Sequence, residues 1–155
     1  MIWAIILAAG ESKRMGEAKL LLPFGEKTII ETVINNVIQS KVEKILVVLG
    51  SAREKIEQKI KNYSLKIAFN PNFRSGMLSS VHAGFQALPE HAQAALVVLG
   101  DQPSISASVI NELIDAYKRT RKGIVLPVYK SERGHPVLID MKYRSEVENL
   151  SPNVG

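Results

Sequence analysis

The stretch IWAIILAAGESKRMGEAK, residues 2–19, joins an apolar run to a loop that is rich in glycine and charge. Residues 2–7 do not alternate with polar residues, which is typical of a strand covered on both faces, as in a parallel sheet. The loop after this run carries two glycines, three cationic side chains and two acidic ones. A loop that only connects two elements needs far less charge, so we expect this one to bind a ligand.

The rest of the chain repeats the alternation of apolar strands and amphipathic helices. Strands are predicted at residues 45–50, 65–69, 95–100, 124–129 and 136–139, and helices at 28–39, 51–61 and 77–88, from 106 onward and at 142–150. Strand, helix and strand in repeated succession predict a doubly wound, mostly parallel α/β sheet with helices on both faces, a Rossmann-like fold. Ligands of such sheets bind at the carboxyl ends of the strands, after residues 7, 49, 69 and 99.

Three helix starts carry the polar side chains that cap helices. Thr28 with Glu31, and Ser51 with Glu54, have the spacing of a capping box, in which side chains and backbone amides bond reciprocally. Ser106 precedes a third helical pattern and is the expected N-cap there.

Composition limits the classes of protein that the chain can represent. Its 155 residues suit one domain, and its net charge of +5 suits an anionic small ligand. The densest basic cluster, residues 118–122, falls at an expected helix end, so it does not indicate nucleic acid binding. The absence of cysteine excludes disulfides, thiolate metal sites and cysteine nucleophiles. No apolar run approaches the ~20 residues of a membrane span, and the N-terminus lacks the basic region and cleavage site of a signal peptide, so we expect a cytoplasmic protein without membrane partners.

The pentapeptide LVVLG occurs at residues 46–50 and again at 96–100, with different continuations. After the second copy comes Asp101, followed by Gln102 and Pro103. Two interpretations remain open for Asp101. Its side chain closes a local Asx-turn, or it is a hard carboxylate ligand that holds Mg²⁺ on a phosphate.

The loop of residues 8–19 has the ingredients of a phosphate site, although it matches neither the Walker A nor the G-x-G-x-x-G pattern. The small residues Ala8, Ala9 and Gly10 let backbone N–H groups approach an anion. Arg14 can bind phosphate oxygens bidentately, and Lys19 adds a mobile charge. The alternative is a charged surface loop, but the whole connection from the first strand to the next helix is about 18 residues long, and connections of that length in compact domains are usually functional.

The chain resembles the MobA-like nucleotidyltransferases in four segments that follow one another in the family's order. These are LAAGESKRMGEAKLLLPFG (7–25), NPNFRSGMLSSV (70–81), LVVLGDQP (96–103) and GHPVLI (134–139). Guanylyltransferases of the family typically begin the loop with LAGG, so Ala9 favours cytidine. Isoprenoid-pathway cytidylyltransferases tend to carry a proline before the loop lysine, where this chain has Ala18.

The resemblance implies a nucleotidyltransferase that moves CMP from CTP to the terminal phosphate of molybdopterin-bound molybdenum and releases pyrophosphate. It implies Mg²⁺ as cofactor and a molybdoenzyme or its chaperone as a possible partner. Two alternatives stay open. The chain is another nucleotidyltransferase of the fold, using GTP or a sugar phosphate, or it is a non-catalytic nucleotide or cofactor carrier.

The resemblance also implies roles for individual residues. Arg14, Lys19 and Asp101 are the expected catalytic residues, with Asp101 as the metal ligand. His135 is expected at the acceptor. The nucleotide-binding set comprises Leu7, Ala8, Ala9, Gly10, Arg14, Lys19, Asn70, Gly76, Met77 and Ser80.

Two parts of this interpretation depend on local structure. Ser79 and Ser80 either offer hydroxyls to the nucleoside or simply cap the helix that starts nearby. The resemblance further implies a single domain over residues 1–155 without its C-terminal tail, because family members continue beyond SPNVG (151–155) with a helical stretch. That tail commonly supplies a second acidic metal ligand, and Asp140 does not match its position.

Overall fold

A computed structural model describes residues 1–10, 19–129 and 132–150. The strands within these residues are β1 (Ile2–Ala8), β2 (Pro23–Phe24), β3 (Lys27–Thr28), β4 (Lys44–Leu49), β5 (Lys66–Phe69), β6 (Ala94–Leu99), β7 (Ile124–Val125), β8 (Val128–Tyr129), β9 (Glu132–Arg133) and β10 (Val137–Asp140). The α-helices are α1 (Ile29–Ile38), α2 (Arg53–Ile60), α3 (Met77–Ala87), α4 (Ala107–Thr120) and α5 (Arg144–Glu148). Turns of 3-10 helix cover Lys19–Leu21, Phe73–Ser75 and Met141–Tyr143.

Six of the described strands form the central sheet, in the order β5-β4-β1-β6-β10-β7. Strand β1 lies between β4 and β6 and runs parallel to both, and β5 extends the sheet in parallel beyond β4. Strand β10 pairs antiparallel with β6 and with β7. The predicted mostly parallel, doubly wound sheet is therefore confirmed.

The apolar run of β1 does not alternate because both of its faces are covered. Ile6 and Ala8 belong to a core layer that includes Ile34 of α1 and Ile114 of α4. Residues one position away, such as Ile5, belong to the opposite layer, which contains Phe85 of α3 and Val147 of α5. All seven residues of β1 are buried, so each face of the strand lies against a helical layer.

The first and third predicted helix starts are confirmed and the second is wrong. Thr28 and Glu31 form the expected capping box of α1, and Ser106 caps α4 by accepting a hydrogen bond from the Val109 amide. Helix α2 begins after Ala52 and has no side-chain cap. The Ser51 hydroxyl instead donates a hydrogen bond to the Gly10 carbonyl.

In the C-terminal third of the chain, one strand and the last helix are shorter than the sequence pattern predicts. The strand expected at 124–129 is divided into β7 and β8, and β8 pairs with β9 outside the central sheet. Pro127 lies at the division and has no N–H to give to a ladder. The helix expected at 142–150 is shortened to the five residues of α5, after the turn Met141–Tyr143.

Candidate functional site

The carboxyl edge of the sheet, where β1, β4, β5 and β6 end, brings together four segments that the sequence separates. Residues 8–10, the loop base, lie at the end of β1. Gly50 and Ser51 follow β4, Asn70 follows β5, and Asp101 lies beyond β6. The chain passes from β1 outward to β4 and β5 and then returns to the other side of β1 as β6. Such a reversal of strand order opens a crevice at the carboxyl edge, which is where α/β sheets bind ligands.

The loop base is held against the core, and its last residue is open. Leu7, Ala8 and Ala9 are buried, whereas Gly10 is exposed. Apart from Gly10 and its two chain neighbours, no atom of the described residues lies within 4 Å of the position that a Cβ on Gly10 would take. This position therefore has room for a group close to the backbone. Arg14 belongs to residues 11–18, outside the described residues, so its role stays a prediction.

Lys19 and Asp101 face each other across the carboxyl edge. The Lys19 Nζ lies 3.8 Å from the Asp101 Oδ2, with 51% of the lysine side chain and 46% of the aspartate side chain exposed. The Gly100 amide donates to the Leu7 carbonyl at 2.9 Å, which aligns the end of β6 with the end of β1. A Cβ on Gly100 would lie 3.4 Å from the Leu20 side chain, so the turn that begins at Lys19 packs directly beside the end of β6.

The turn after β6 does not depend on the Asp101 side chain. The Gln102 amide donates to the Leu99 carbonyl at 3.3 Å, so backbone groups close the turn. Within residues 1–10, 19–129 and 132–150, the Asp101 carboxylate accepts no hydrogen bond from a backbone amide. The turn thus forms without the carboxylate, so an Asx-turn does not account for Asp101.

The Asn70 side chain forms hydrogen bonds with other residues of the protein. Its side chain is buried, and its amide nitrogen donates to the hydroxyls of Ser79 at 2.9 Å and Ser80 at 3.0 Å. Its side-chain oxygen accepts from the Asn72 amide at 2.9 Å. The side chain therefore ties the end of β5 to the first turn of α3 and shapes the loop between them.

The start of α3 differs from a serine-capped helix. The N-cap residue is Gly76, which makes no side-chain cap and has a φ of 102°, a conformation that side-chain-bearing residues rarely adopt. Ser79 bonds to the carbonyls of Asn72 and Gly76, and its hydroxyl is not the cap. Met77 begins the helix with 52% of its surface exposed. Contact of Gly76, Met77 and Ser80 with a nucleotide stays a prediction.

His135 lies on the other side of β6 from the loop base, just before β10. It is half-buried, and burial lowers its pKa below the ordinary value, while the charge of Asp101 acts in the opposite direction. The imidazole is therefore protonated less readily than that of an ordinary histidine, and it lies within electrostatic reach of the Asp101 carboxylate.

Asp140 lies at the opposite, amino edge of the sheet. Because β10 is antiparallel to β6, its last residue pairs with Ala94, the first residue of β6. The Asp140 carboxylate accepts hydrogen bonds from the Tyr117 hydroxyl at 2.5 Å and from the Lys142 amide at 2.8 Å. Asp140 and Asp101 therefore cannot share one ion.

The described residues contain no cluster of three histidine, cysteine, aspartate or glutamate side chains that would hold a metal ion. A cation at the carboxyl edge would take Asp101 as a protein ligand and need further oxygens from a bound molecule. In the same part of the chain, no helix is both long and apolar enough to cross a membrane.

Sequence reasoning missed the part that Gly50 and Ser51 play at this edge. A Cβ on Gly50 would lie 2.6 Å from the Ala9 carbonyl oxygen, and one on Gly100 would lie 2.7 Å from the Leu7 carbonyl oxygen. Each copy of LVVLG thus ends in a glycine because the backbone at that position lies too close to the end of β1 to leave room for a side chain. The repeated pentapeptide was the feature of the sequence that could have indicated two such glycines, one on each side of β1.

Comparisons with known proteins identify the family of the chain. Residues 4–155 match the model of the MobA-like NTP transferase domain. The chain is 31% identical to the molybdenum cofactor cytidylyltransferase of Escherichia coli over 136 residues, which are 87% of this chain and 68% of that protein. It is also 30% identical to the nicotine blue oxidoreductase of Paenarthrobacter nicotinovorans, over 94% of this chain and 74% of that protein.

A crystal structure of Rv0371c from Mycobacterium tuberculosis superposes with a TM-score of 0.87 at 23% identity, covering 96% of this chain and 76% of that one. A second structure of Rv0371c, in complex with manganese, has a TM-score of 0.82 at 21% identity with the same coverage. These likenesses show the shared fold. With the family match over nearly the whole chain, they lead to one conclusion: the chain belongs to the MobA-like NTP transferase family and is a nucleotidyltransferase.

Proposed function

We propose that this nucleotidyltransferase moves CMP from CTP to the terminal phosphate of molybdopterin-bound molybdenum and releases pyrophosphate. The observation that carries the proposal is the position of Lys19 and Asp101, which face each other where the strand order reverses. The choice of CTP and of the acceptor is supported by the likeness to a molybdenum cofactor cytidylyltransferase and by Ala9 in the loop base.

The order of strands along the carboxyl edge supports one placement of the substrates. The loop of Asn70 and Gly76 lies toward β5, the loop base lies in the middle, and His135 lies toward β10. The nucleoside would bind on the β5 side, the triphosphate across the loop base, and the acceptor beside His135. A neutral His135 can donate one hydrogen bond to an acceptor phosphate and accept another.

The reaction needs charge neutralisation and alignment more than it needs a base. A phosphate monoester has a second pKa of about 6, so the acceptor phosphate is largely a dianion at pH 7. One of its oxygens attacks the α-phosphorus of CTP, the bond to the bridging oxygen breaks, and pyrophosphate leaves with that electron pair. Lys19 and Arg14 would offset the negative charge on the leaving group, and the loop base would align the triphosphate.

Asp101 is suited to hold a divalent cation at this position. Its carboxylate is half exposed and accepts no backbone hydrogen bond within the described residues, and a hard oxygen donor suits Mg²⁺. One protein carboxylate leaves the other coordination positions to phosphate oxygens and water. When bound, the ion neutralises phosphate charge. The acceptor further suggests a molybdoenzyme or its chaperone as the partner that receives the product.

A nucleotide panel tests the proposal. In a thermal-shift assay with Mg²⁺, we expect CTP to raise the melting temperature more than GTP, ATP or UTP does. A ligand present at about 100 times its Kd adds about 2.7 kcal/mol, which for a domain of this size corresponds to roughly 5–10 °C. Pyrophosphate release from CTP with the molybdenum cofactor as acceptor is the second measurement.

Each of the other outcomes would indicate a different function for this protein. A larger shift with GTP would move the function to guanylyl transfer, and release of pyrophosphate only with a sugar phosphate would identify a different acceptor. Nucleotide binding without pyrophosphate release would identify a carrier. The relative named as an oxidoreductase shows that sequence likeness of about 30% accompanies different named activities, so the assay has to decide.

A further inference from the structure

The corner between β4 and α2, formed by Gly50, Ser51 and Ala52, lies against the loop base. The Ser51 amide donates to the Ala9 carbonyl at 3.3 Å. The Ser51 hydroxyl donates to the Gly10 carbonyl at 2.9 Å. One residue of this corner thus holds two successive carbonyls of a segment that lies 41 residues earlier in the chain.

Helix α2 does not need this serine. The N-cap of α2 is Ala52, and the first turn is closed by backbone bonds, with the Arg53 amide on the Gly50 carbonyl and the Ile56 amide on the Ala52 carbonyl. The Ser51 hydroxyl therefore makes the contact to Gly10 in place of a cap. Because that contact is exposed, its contribution to the stability of the fold is small.

The two bonds fix the direction of backbone groups in the loop base. In a trans peptide the C=O and N–H groups point in opposite directions. Since the Ala9 carbonyl points toward Ser51, the Gly10 amide points away from the corner. An amide held in one direction is preorganised to donate to an anion, whereas a mobile one has to be ordered when the ligand binds.

Gly50 also brings the corner close to the segment before α3, where the nucleoside is proposed to bind. A Cβ at this position would lie 2.6 Å from the Ala9 carbonyl oxygen and 2.7 Å from the Phe73 Cβ. The corner is thus packed between the loop base and the turn Phe73–Ser75, which precedes Gly76. It sets the distance between the two segments that the proposed function assigns to triphosphate and nucleoside.

We infer that Ser51 is a positioning residue for triphosphate binding, acting through the loop base that its hydroxyl and amide hold. This inference rests on the proposed function, because it assumes that the loop base binds the triphosphate. Ser51 itself need not touch the nucleotide.

The test measures affinity by calorimetry for CTP with Mg²⁺ and for inorganic tripolyphosphate. We expect Ser51→Ala to weaken both by roughly 3- to 10-fold, the scale of one net hydrogen bond. Ser51→Thr keeps the hydroxyl and should restore affinity. Ser106→Ala is the matched control, because that serine caps α4 and, within the described residues, makes no hydrogen bond to the loop base. It should lower the melting temperature without ligand and leave both affinities unchanged.

The outcomes separate this inference from the proposed function. If the wild-type chain binds CTP and Ser51→Ala binds it equally well, the inference fails and the function stands. Equal weakening in Ser51→Ala and Ser51→Thr also overturns it, because the hydroxyl would not be the cause. If the wild-type chain binds tripolyphosphate and not CTP, the cytidylyl proposal fails and the serine comparison is decided with tripolyphosphate. Binding of neither would overturn both.

Discussion

Lys19 and Asp101 form an ion pair whose position is not explained by stability. Both side chains are about half exposed, and exposed pairs contribute about 0–1 kcal/mol. Lys41 and Asp115 form a comparable exposed pair at 2.8 Å between α4 and the segment after α1. The first pair lies at the crevice of the sheet and the second does not, which makes Asp115 a suitable control for Asp101.

We predict that Asp101→Asn leaves the melting temperature without ligand nearly unchanged and reduces pyrophosphate release by roughly 10²-fold or more. That scale is typical when one charge-stabilising group is removed from a preorganised site. The measurement is the rate of pyrophosphate release from CTP with the molybdenum cofactor, in a form of the protein that is active. Asp115→Asn should leave the rate unchanged. Near-normal turnover by Asp101→Asn would exclude it as the metal ligand.

At the level of elements, α1 and α2 begin in different ways, although the sequence near both starts has a hydroxyl residue followed by a glutamate three positions later. In α1, Thr28 and Glu31 bond reciprocally, and the Tyr63 hydroxyl also donates to Glu31 at 3.0 Å. Burial alone would raise the pKa of Glu31, but hydrogen bonds from Thr28 and Tyr63 outweigh it and lower the pKa below its ordinary value. In α2, Ser51 is occupied by the loop base.

We predict that Glu31→Gln lowers the free energy of unfolding by about 1 kcal/mol at pH 7. Because the pKa of Glu31 is lower in the folded state, its contribution is present at neutral pH and is lost as the pH falls below the ordinary range of a glutamate. Denaturant unfolding should therefore show a gap in the free energy of unfolding between wild type and Glu31→Gln that is smaller at pH 3 than at pH 7. Glu54→Gln, at a helix start without a capping box, should give a smaller difference at pH 7. A gap that widens in acid would contradict the assignment.

At the scale of the whole molecule, the two edges of the sheet carry different polar groups. The carboxyl edge has the loop base, Lys19 and Asp101, and each of these is partly exposed to solvent. The amino edge has Tyr117 and Asp140, whose hydrogen bond joins the end of α4 to the end of β10. Burial, together with the bond to Asp140, raises the pKa of Tyr117 to about 12. The amino edge therefore stabilises the fold and has no part in the proposed reaction.

We predict that Tyr117→Phe lowers the free energy of unfolding by about 1–2 kcal/mol at pH 7 and leaves the affinity for CTP unchanged. Because the pKa of Tyr117 is raised on folding, its contribution is present below pH 10 and is lost as the pH rises toward about 12, so the gap to wild type should narrow there. Tyr143→Phe is the control, since that hydroxyl makes no hydrogen bond within the described residues. Weaker CTP binding by Tyr117→Phe would refute the separation of the two edges.

Features that depend on local periodicity and on neighbours close in the chain could be predicted from the sequence. The unbroken apolar runs predicted strands that are covered on both faces, and β1 has that burial. The capping residues Thr28 and Ser106 were predictable because a cap and its amide are three residues apart. Gly100 with Asp101 could be placed at a ligand-binding edge because all parallel strands present their carboxyl ends there.

Sequence patterns did not indicate which partner each polar side chain takes or on which edge of the sheet it lies. Ser51 has the local pattern of a cap, but the carbonyl of Gly10 approaches from a distant part of the chain and takes its hydroxyl. Asp140 follows a strand as Asp101 does, yet the antiparallel direction of β10 carries it to the opposite edge. Strand direction and non-local backbone approach depend on the packing of the whole sheet, and neither is encoded in the residues adjacent to the side chain.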